Sequence, residues 1–193
     1  MSTFTFRYKH IIRELPVFEV GNGLKIAYLD TLSDYELVTA FSQEMASSVC
    51  AKETFVPLQR LVLFTAENKG IPFAYATAQE LQKRCPHKEI ALAIARKQKK
   101  KFFGTCIETQ KASITTERET ETLYLPESDR KKLDGSDVIL IDDFYSTGAS
   151  MKALERLAKR CNAKIADKIV AVWETADHTQ PPDVTFVATI PVL

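Results

Sequence analysis

VILIDDFYSTGAS, residues 138–150, is the stretch that decides the fold. It opens with a short apolar run rich in β-branched residues, led in by Asp137, and this composition is typical of a buried strand. Small and hydroxyl residues follow, and apolar residues then recur with helical spacing. These apolar positions are Leu154, Leu157, Ala158 and Cys161. The pattern predicts a strand, a tight loop and a helix with one apolar face.

The loop between this strand and this helix has the features of an anion site. A helix N-terminus presents free N–H groups and the positive end of the helix dipole. Gly148 lets the backbone approach a ligand closely, and neighbouring hydroxyl groups add donors. The candidate phosphate-binding residues are Tyr145, Ser146, Thr147, Gly148, Ala149 and Ser150.

Two adjacent carboxylates, Asp142 and Asp143, precede the loop. Side by side they repel each other unless a cation or hydroxyl donors compensate their charge. A sugar with vicinal hydroxyls, bound together with Mg²⁺, supplies both. The plainer interpretation is an ordinary strand–turn–helix unit whose acids lie in a solvated loop. We favour the sugar-phosphate site, because the strand, the acid pair, the glycine and the hydroxyl groups occur together.

The same stretch resembles the phosphoribosyl-diphosphate (PRPP) binding motif of type I phosphoribosyltransferases, a hydrophobic strand followed by two acids and a loop containing Thr-Gly. The resemblance implies an α/β fold, with a Rossmann-like parallel sheet flanked by helices, a small hood and a flexible β-flap. It implies that Asp142 and Asp143 are catalytic and hold the ribose hydroxyls, directly or through Mg²⁺. It also implies that the loop binds the 5-phosphate of PRPP.

Composition narrows the class of protein. The 193 residues suffice for one domain with a substantial core. A net charge of +1 gives no overall attraction to nucleic acid or to an anionic membrane. No apolar stretch has the length of a membrane span, and the N-terminus lacks a signal-peptide pattern. The four cysteines and three histidines show no metal-ligand spacing. The scattered cysteines favour buried or free thiols in a reducing compartment, and we expect a cytoplasmic protein.

Strands and helices alternate along the chain, which predicts one α/β domain with a parallel sheet. Besides the central strand, we expect strands at Leu24–Leu29, Arg60–Ala66, Glu89–Ala95, Ile169–Trp173 and Val184–Ile190. Helices are predicted over Asp34–Glu53 and over Ile71–Arg84, which has Pro72 in its first turn. The resemblance assigns residues 1–33 and 174–193 to the hood.

The loop after Arg60–Ala66 holds Glu67, Asn68, Lys69 and Gly70. Ligands of parallel α/β sheets gather at the carboxyl ends of strands, so this loop should lie near the acid pair. It is similar to the pyrophosphate loop of the family, and the resemblance implies that Lys69 and neighbouring N–H groups hold the pyrophosphate. Taken alone, the segment is a plain turn with a surface lysine.

A basic run, Arg96–Lys101, follows Glu89–Ala95 at another strand end. Such a run is usually a solvated face and sometimes a nucleic-acid patch. The family has an Arg-Lys pair here that reaches the diphosphate, and Arg96 and Lys97 resemble it. We add Lys100 to this set and expect Lys99 and Lys101 to face solvent.

Residues 102–126 form the least globular part of the sequence. Ser113–Glu117 and Glu121–Leu125 are predicted to be strands of a hairpin. By resemblance this hairpin is the flap, which would close over the site and exclude water. Ser113 and Thr115 are loose matches to family residues in the flap. The alternative is an exposed hairpin without a role in the site.

The resemblance is closest to purine phosphoribosyltransferases of the adenine and xanthine type. It implies that a ring nitrogen of a purine displaces pyrophosphate from C1 of PRPP, giving a nucleoside 5′-monophosphate. Mg²⁺ is the implied cofactor and a homodimer the implied assembly. Leu29, Trp173 and Glu174 are the candidate base-binding residues. Trp173, Tyr28 or Leu29 could pack on a base, and each could equally belong to the core. Thr175 stands where the xanthine enzymes have a lysine, so the exocyclic group of the purine stays open.

Three other functions remain open. The same domain serves as a non-catalytic PRPP-sensing module in some transcription regulators. Those regulators need a separate DNA-binding segment, and residues 1–33 do not have the pattern of such a segment. A transferase acting on a non-purine base is a second possibility. A plain nucleotide-binding domain is a third, although it would not need the clustered lysines.

Overall fold

Strands and helices alternate through the central part of the chain, as the sequence predicts. The computed structural model describes residues 2–20, 23–112, 120–175 and 184–193. In chain order its strands and helices are β1 (Thr3–Tyr8), β2 (Ile11–Glu19), β3 (Lys25–Ala27), α1 (Tyr35–Cys50), β4 (Arg60–Ala66), α2 (Gly70–Arg84), β5 (Glu89–Ala95), β6 (Ile107–Ala112), β7 (Thr120–Leu125), α3 (Glu127–Leu133), β8 (Asp137–Tyr145), α4 (Ala149–Arg160), β9 (Lys164–Thr175) and β10 (Thr185–Pro191).

A parallel sheet with the strand order β10-β9-β8-β4-β5 forms the centre of the fold. The predicted α/β fold with a Rossmann-like parallel sheet is confirmed. β4 and β5 have the predicted bounds. β8 continues past Ile141 to Tyr145, and β9 begins earlier than predicted, at Lys164. The two adjacent aspartates therefore lie within the central strand.

Helices cover both faces of this sheet, because its strands are apolar on both sides. Leu61 and Leu63 of β4 belong to the core that α1 and α2 cover. Val62 and Phe64 of the same strand belong to a second core, which α4 covers. Side chains alternate along a strand, so one continuous apolar run supplies both cores.

Helix α1 begins after a capping aspartate and is tied to the N-terminal strands. The carboxylate of Asp34 accepts the N–H of Leu37 at 3.1 Å, which satisfies one free donor of the first turn. Arg13 of β2 donates to the same carboxylate at 2.6 and 3.0 Å. These bonds from Arg13 lower the pKa of Asp34 below its usual value. α1 ends at Cys50, before the predicted end at Glu53.

The N-terminal segment forms an antiparallel sheet, β1-β2-β3, which we term the hood sheet. The sequence predicted only the strand Leu24–Leu29, which in the structure is the short β3, and missed β1 and β2. Within residues 174–193, which were predicted to join the hood, β10 is an edge strand of the main sheet. The link between the two sheets is made by Leu193, which exchanges backbone hydrogen bonds with Lys25 at 2.9 and 3.2 Å.

The predicted hairpin is present as β6 and β7, which pair antiparallel. Its first strand lies earlier than predicted, and Ser113–Glu117, with Ser113 and Thr115, lies outside the described residues. The hairpin is anchored where Tyr124 and Arg96 exchange two backbone hydrogen bonds of 2.7 Å. Leu123 is fully buried in the core beside α4.

Helix α3, with the sequence ESDRKKL, was not predicted, because its short charged sequence has no apolar periodicity. Its N–H groups at Asp129 and Arg130 bond to the carbonyl of Pro126 at 3.1 and 2.9 Å. Among the described residues, no helix combines the length and apolar character needed to cross a membrane.

Phe73→Ala is expected to lower the free energy of unfolding by about 3–5 kcal/mol. Phe73 is fully buried and stacks on Phe41 of α1, with ring centroids 6.4 Å apart. Tyr75 of the same helix is 57% exposed, so Tyr75→Ala should change this free energy by less than about 1 kcal/mol. Urea denaturation of both variants measures the difference. Equal losses would contradict the packing of α2 on α1.

Candidate functional site

The acid pair lies at the carboxyl end of the central strand, inside the sheet. Asp142 and Asp143 are each 7% exposed and belong to β8. The prediction that they follow the strand is wrong, because β8 pairs with β9 as far as Tyr145. Their burial also excludes the plainer interpretation of acids in a solvated loop. Something other than water must therefore compensate their charge.

Two hydrogen bonds hold these carboxylates. The hydroxyl of Thr31 donates to Oδ2 of Asp143 at 3.1 Å, and the backbone N–H of Asp143 donates to Oδ1 of Asp142 at 3.0 Å. Thr31 is fully buried in the connection between the hood sheet and α1. Sequence reasoning missed it, because no local pattern marks a threonine that meets its partner 112 residues later.

Asp142 is the more strongly perturbed acid of the pair. Burial raises its pKa well above the usual value, and the neighbouring Asp143 raises it further. The positive charge of Lys111 acts in the opposite direction as a smaller contribution. A cation placed at the pair would favour the charged form of both carboxylates. The electrostatics thus fit a site that acquires positive charge together with its ligand.

The oxygen donors of the pair suit Mg²⁺ in one particular way. Mg²⁺ usually keeps several waters and takes one or two carboxylates together with substrate phosphates. Among the described residues, no group of three or more acids, histidines or cysteines could hold a metal ion. Asp142 and Asp143 therefore offer carboxylate ligands of the kind that Mg²⁺ takes when it arrives with a phosphorylated substrate.

The loop after β8 is shaped by one glycine. Gly148 has a φ of +73°, and a Cβ there would lie 2.6 Å from Oη of Tyr145. A side chain is therefore disfavoured by both the backbone conformation and the space. Helix α4 begins at Ala149, while Ser146 and Thr147 are exposed. The predicted phosphate loop thus has a helix N-terminus behind accessible hydroxyl groups.

The loop after β4 lies beside the acid pair, as predicted. Gly70, the first residue of α2, is so close that an added Cβ would lie 2.9 Å from Oδ1 of Asp142 and 2.1 Å from Oγ1 of Thr65. The Glu67–Asn68 peptide bond in this loop is cis. Only a glycine permits this approach of the loop to the central strand.

Lys69 and Glu67 have partners within the protein. The ammonium group of Lys69 lies 4.9 Å from the ring centroid of Tyr28, an exposed residue beside the hood sheet. One carboxylate oxygen of Glu67 accepts the N–H of Lys97 at 2.9 Å, and the other lies 3.6 Å from the guanidinium of Arg96. The predicted diphosphate residues are therefore brought together around β4 and β5.

The basic run divides into residues that face the site and residues that do not. Nε of Arg96 is buried and has no hydrogen-bond partner among the described residues. Such an orphaned cationic donor fits a site that awaits an anion. Lys100 is exposed and donates to the neighbouring Gln98 at 3.2 Å, and its place in the diphosphate set stays a prediction. Lys99 and Lys101 are exposed as predicted.

Lys111 of β6 is a further cation that sequence reasoning missed. Its ammonium group lies 3.2 Å from the hydroxyl of Ser150 and 3.0 Å from Glu121 of β7. Lys97 binds the other oxygen of the same Glu121 carboxylate at 3.1 Å. Among many lysines, only the pairing of β6 with β7 marks Lys111 as part of the site.

The three candidate base-binding residues occupy different environments. Leu29 is 3% exposed in the core, and Trp173 is 6% exposed against Phe186, with ring centroids 5.1 Å apart. Both residues are packed in the protein interior, and their contact with a base stays a prediction. Glu174, near the end of β9, is partly exposed. Tyr28, at 43% exposure, is the accessible aromatic side chain near the 66–70 loop.

Comparisons with known proteins identify the family and the fold. The family model described as phosphoribosyl transferase domain matches residues 33–191. The chain is 31% identical over 105 residues to the purine biosynthesis transcriptional repressor PurR of Bacillus subtilis (strain 168). That match covers 54% of the chain, which spans about a third (33%) of the repressor's length.

Solved structures share the fold at low identity. Adenine phosphoribosyltransferase from Giardia lamblia is 16% identical with a TM-score of 0.65, and the match covers 91% of this chain and 93% of that one. A hypoxanthine phosphoribosyltransferase from Staphylococcus aureus is 12% identical with a TM-score of 0.55, covering 84% and 77%. At these identities the likeness concerns the fold.

Asp142→Asn is expected to stabilise the ligand-free protein at pH 7, because it removes a carboxylate whose ionisation opposes folding. The folded protein raises the pKa of Asp142, so the parent chain loses stability as the pH rises from the unfolded pKa through the folded one. Asparagine removes this ionisation and keeps an oxygen for the N–H of Asp143.

Urea denaturation between pH 4 and pH 8 measures the free energy of unfolding of both proteins. The extra stability of Asp142→Asn should shrink toward pH 4, near the ordinary pKa of an aspartate. Asp137→Asn, at the other end of β8, is the matched control. A variant less stable than the parent at pH 7 would contradict the assigned cost of ionising Asp142.

Proposed function

The chain belongs to the phosphoribosyl transferase domain family, and we propose that it transfers the phosphoribosyl group of PRPP to a purine base. The products would be a nucleoside 5′-monophosphate and pyrophosphate. One observation carries the proposal: the buried Asp142–Asp143 pair leads directly into the open N-terminus of α4. A sugar phosphate needs both parts, because its hydroxyls require acceptors and its phosphate requires donors.

Each part of the proposed substrate, PRPP, would bind to its own set of residues. The 5-phosphate would lie at Ser146–Ser150, where hydroxyl groups and helix N–H groups are available. Asp142 and Asp143 would accept hydrogen bonds from the ribose hydroxyls. Arg96 and Lys97, with the N–H groups of the 67–70 loop, would hold the diphosphate. Thr31 would fix the orientation of Asp143 through the hydrogen bond from its hydroxyl group.

The chemical step consists mainly of positioning and charge stabilisation. A ring nitrogen of the base forms a bond to C1 of the ribose while the bond from C1 to the diphosphate oxygen breaks, and the purine ring gives up one N–H proton to water. The electron pair leaves with the diphosphate, where Arg96 and Lys97 would stabilise the growing negative charge. Mg²⁺ held with the substrate at the acid pair would help neutralise this leaving group.

Two findings support a purine as the acceptor. The solved structures that share the fold are described as adenine and hypoxanthine phosphoribosyltransferases, and the related repressor is named for purine biosynthesis. The ring of the exposed Tyr28, over which the ammonium group of Lys69 lies, offers an aromatic surface beside the 67–70 loop. We place the enzyme in the cytoplasm as a homodimer, on the family resemblance and the free cysteines.

A second candidate is a PRPP-responsive regulatory domain without turnover. The observation that favours it is the 31% identity to a transcriptional repressor over 105 residues. The same loop and acid pair could bind PRPP in either case. Turnover, not binding, separates the two functions.

Incubation with Mg²⁺, PRPP and a panel of bases should give an ultraviolet absorbance change with adenine, hypoxanthine, guanine or xanthine. Orotate and uracil serve as the non-purine controls. Pyrophosphate release, measured in parallel, should equal the nucleotide formed. Binding of PRPP without turnover of any base would support the regulatory candidate, and turnover of a pyrimidine alone would overturn the purine assignment.

Asp143→Asn should lower kcat/KM for PRPP by about a hundredfold or more, because it removes a charge that acts on the ribose ring. The fold should persist, since the asparagine oxygen can still accept the hydroxyl of Thr31. Steady-state kinetics and thermal unfolding check the two statements. Asp137→Asn should retain parental kinetics, and unchanged kinetics of Asp143→Asn would remove this residue from the proposed site.

A further inference from the structure

One carboxylate of the hairpin binds two cations that belong to the site. Oε1 of Glu121 lies 3.1 Å from Nζ of Lys97, and Oε2 lies 3.0 Å from Nζ of Lys111. Nζ of Lys111 also lies 3.2 Å from Oγ of Ser150. Glu121, Lys111 and Lys97 are only 21%, 15% and 34% exposed, so water screens these contacts incompletely.

The two lysines lie against different proposed phosphate sites. Lys97 follows β5 with Arg96, in the set proposed to hold the diphosphate. Lys111 contacts Ser150, in the loop proposed to hold the 5-phosphate. Glu121 therefore joins the cations of both sites through a single carboxylate, whose two oxygens resemble two oxygens of a phosphate group.

The electrostatics show that Glu121 is bound as an anion. Burial by itself would raise the pKa of Glu121, but hydrogen bonds from Lys111 and Lys97 lower it below the usual value. Without this carboxylate, the two ammonium groups would be close together and partly removed from water. The hairpin thus supplies the negative charge that Lys97 and Lys111 need when no anionic ligand is bound.

We propose that Glu121 is an internal competitor for the anionic substrate, released from Lys97 and Lys111 when phosphate oxygens take its place. This inference rests on the proposed function, because it assumes that the two lysines meet the phosphates of PRPP. Substrate binding then exchanges one set of ion pairs for another. The exchange weakens the affinity for any phosphate ligand and speeds the release of pyrophosphate.

Glu121→Gln tests the exchange, because glutamine keeps the shape of the side chain and removes its charge. Isothermal titration calorimetry with inorganic pyrophosphate and Mg²⁺ should give a Kd about tenfold lower than that of the parent chain. Glu108→Gln is the matched control, since Glu108 is an exposed glutamate of the same hairpin. It removes the same charge without touching either lysine, and its Kd should equal that of the parent.

A double substitution keeps the test specific. In a Lys111→Gln background, Glu121→Gln should improve the Kd by less, because one of the two competing ion pairs is already absent. Thermal unfolding verifies that each variant is folded before titration. If Glu121→Gln does not fold, Glu121→Ala takes its place in the same titration, because it also removes the competing carboxylate and should also lower the Kd for pyrophosphate.

The outcomes separate this inference from the proposed function. A parent chain that binds pyrophosphate and a Glu121→Gln variant that binds no more tightly would overturn the competition and leave the transferase proposal intact. In the fallback comparison, an unchanged Kd for Glu121→Ala would overturn it in the same way. No pyrophosphate binding by the parent or the variant would overturn the competition, while the turnover assay alone decides the enzymatic activity.

Discussion

Two adjacent carboxylates buried at the end of the central strand are the constraint on which the rest of the site depends. Burying a charge is unfavourable unless a partner compensates it, and burying two like charges side by side is more so. The chain supplies a hydroxyl from Thr31, a backbone N–H and the nearby positive charge of Lys111. These partners compensate the pair in part, and a cation at the pair would compensate the rest of its charge.

The cations around the pair are arranged by the same principle. Arg96 and Lys97 contact Glu67, Lys69 lies over an aromatic ring, and Lys97 and Lys111 share a carboxylate. In the ligand-free chain, positive charge is therefore largely held by internal partners. An anionic ligand must exchange partners with the protein, which makes its affinity a difference between two sets of ion pairs.

Several different elements of the fold each contribute one residue to the candidate site. The segment after the hood sheet contributes Thr31, α2 contributes the close approach of Gly70, and the hairpin contributes Lys111. The main sheet holds them in register, since the ends of β4, β5 and β8 meet at one edge. Burial raises the pKa of Asp142, so ionisation of this carboxylate opposes folding where the site is formed.

The sequence by itself determined the strand–loop–helix motif, the parallel sheet and the bounds of β4 and β5. These features follow from local patterns: apolar runs, helical spacing and a glycine before a helix. Only the tertiary structure decided that Thr31 meets Asp143, that Glu121 joins two lysines, that β10 completes the main sheet and that Leu29 is buried. Each of these depends on contacts between distant segments, and no local spacing records which distant residue will be the partner.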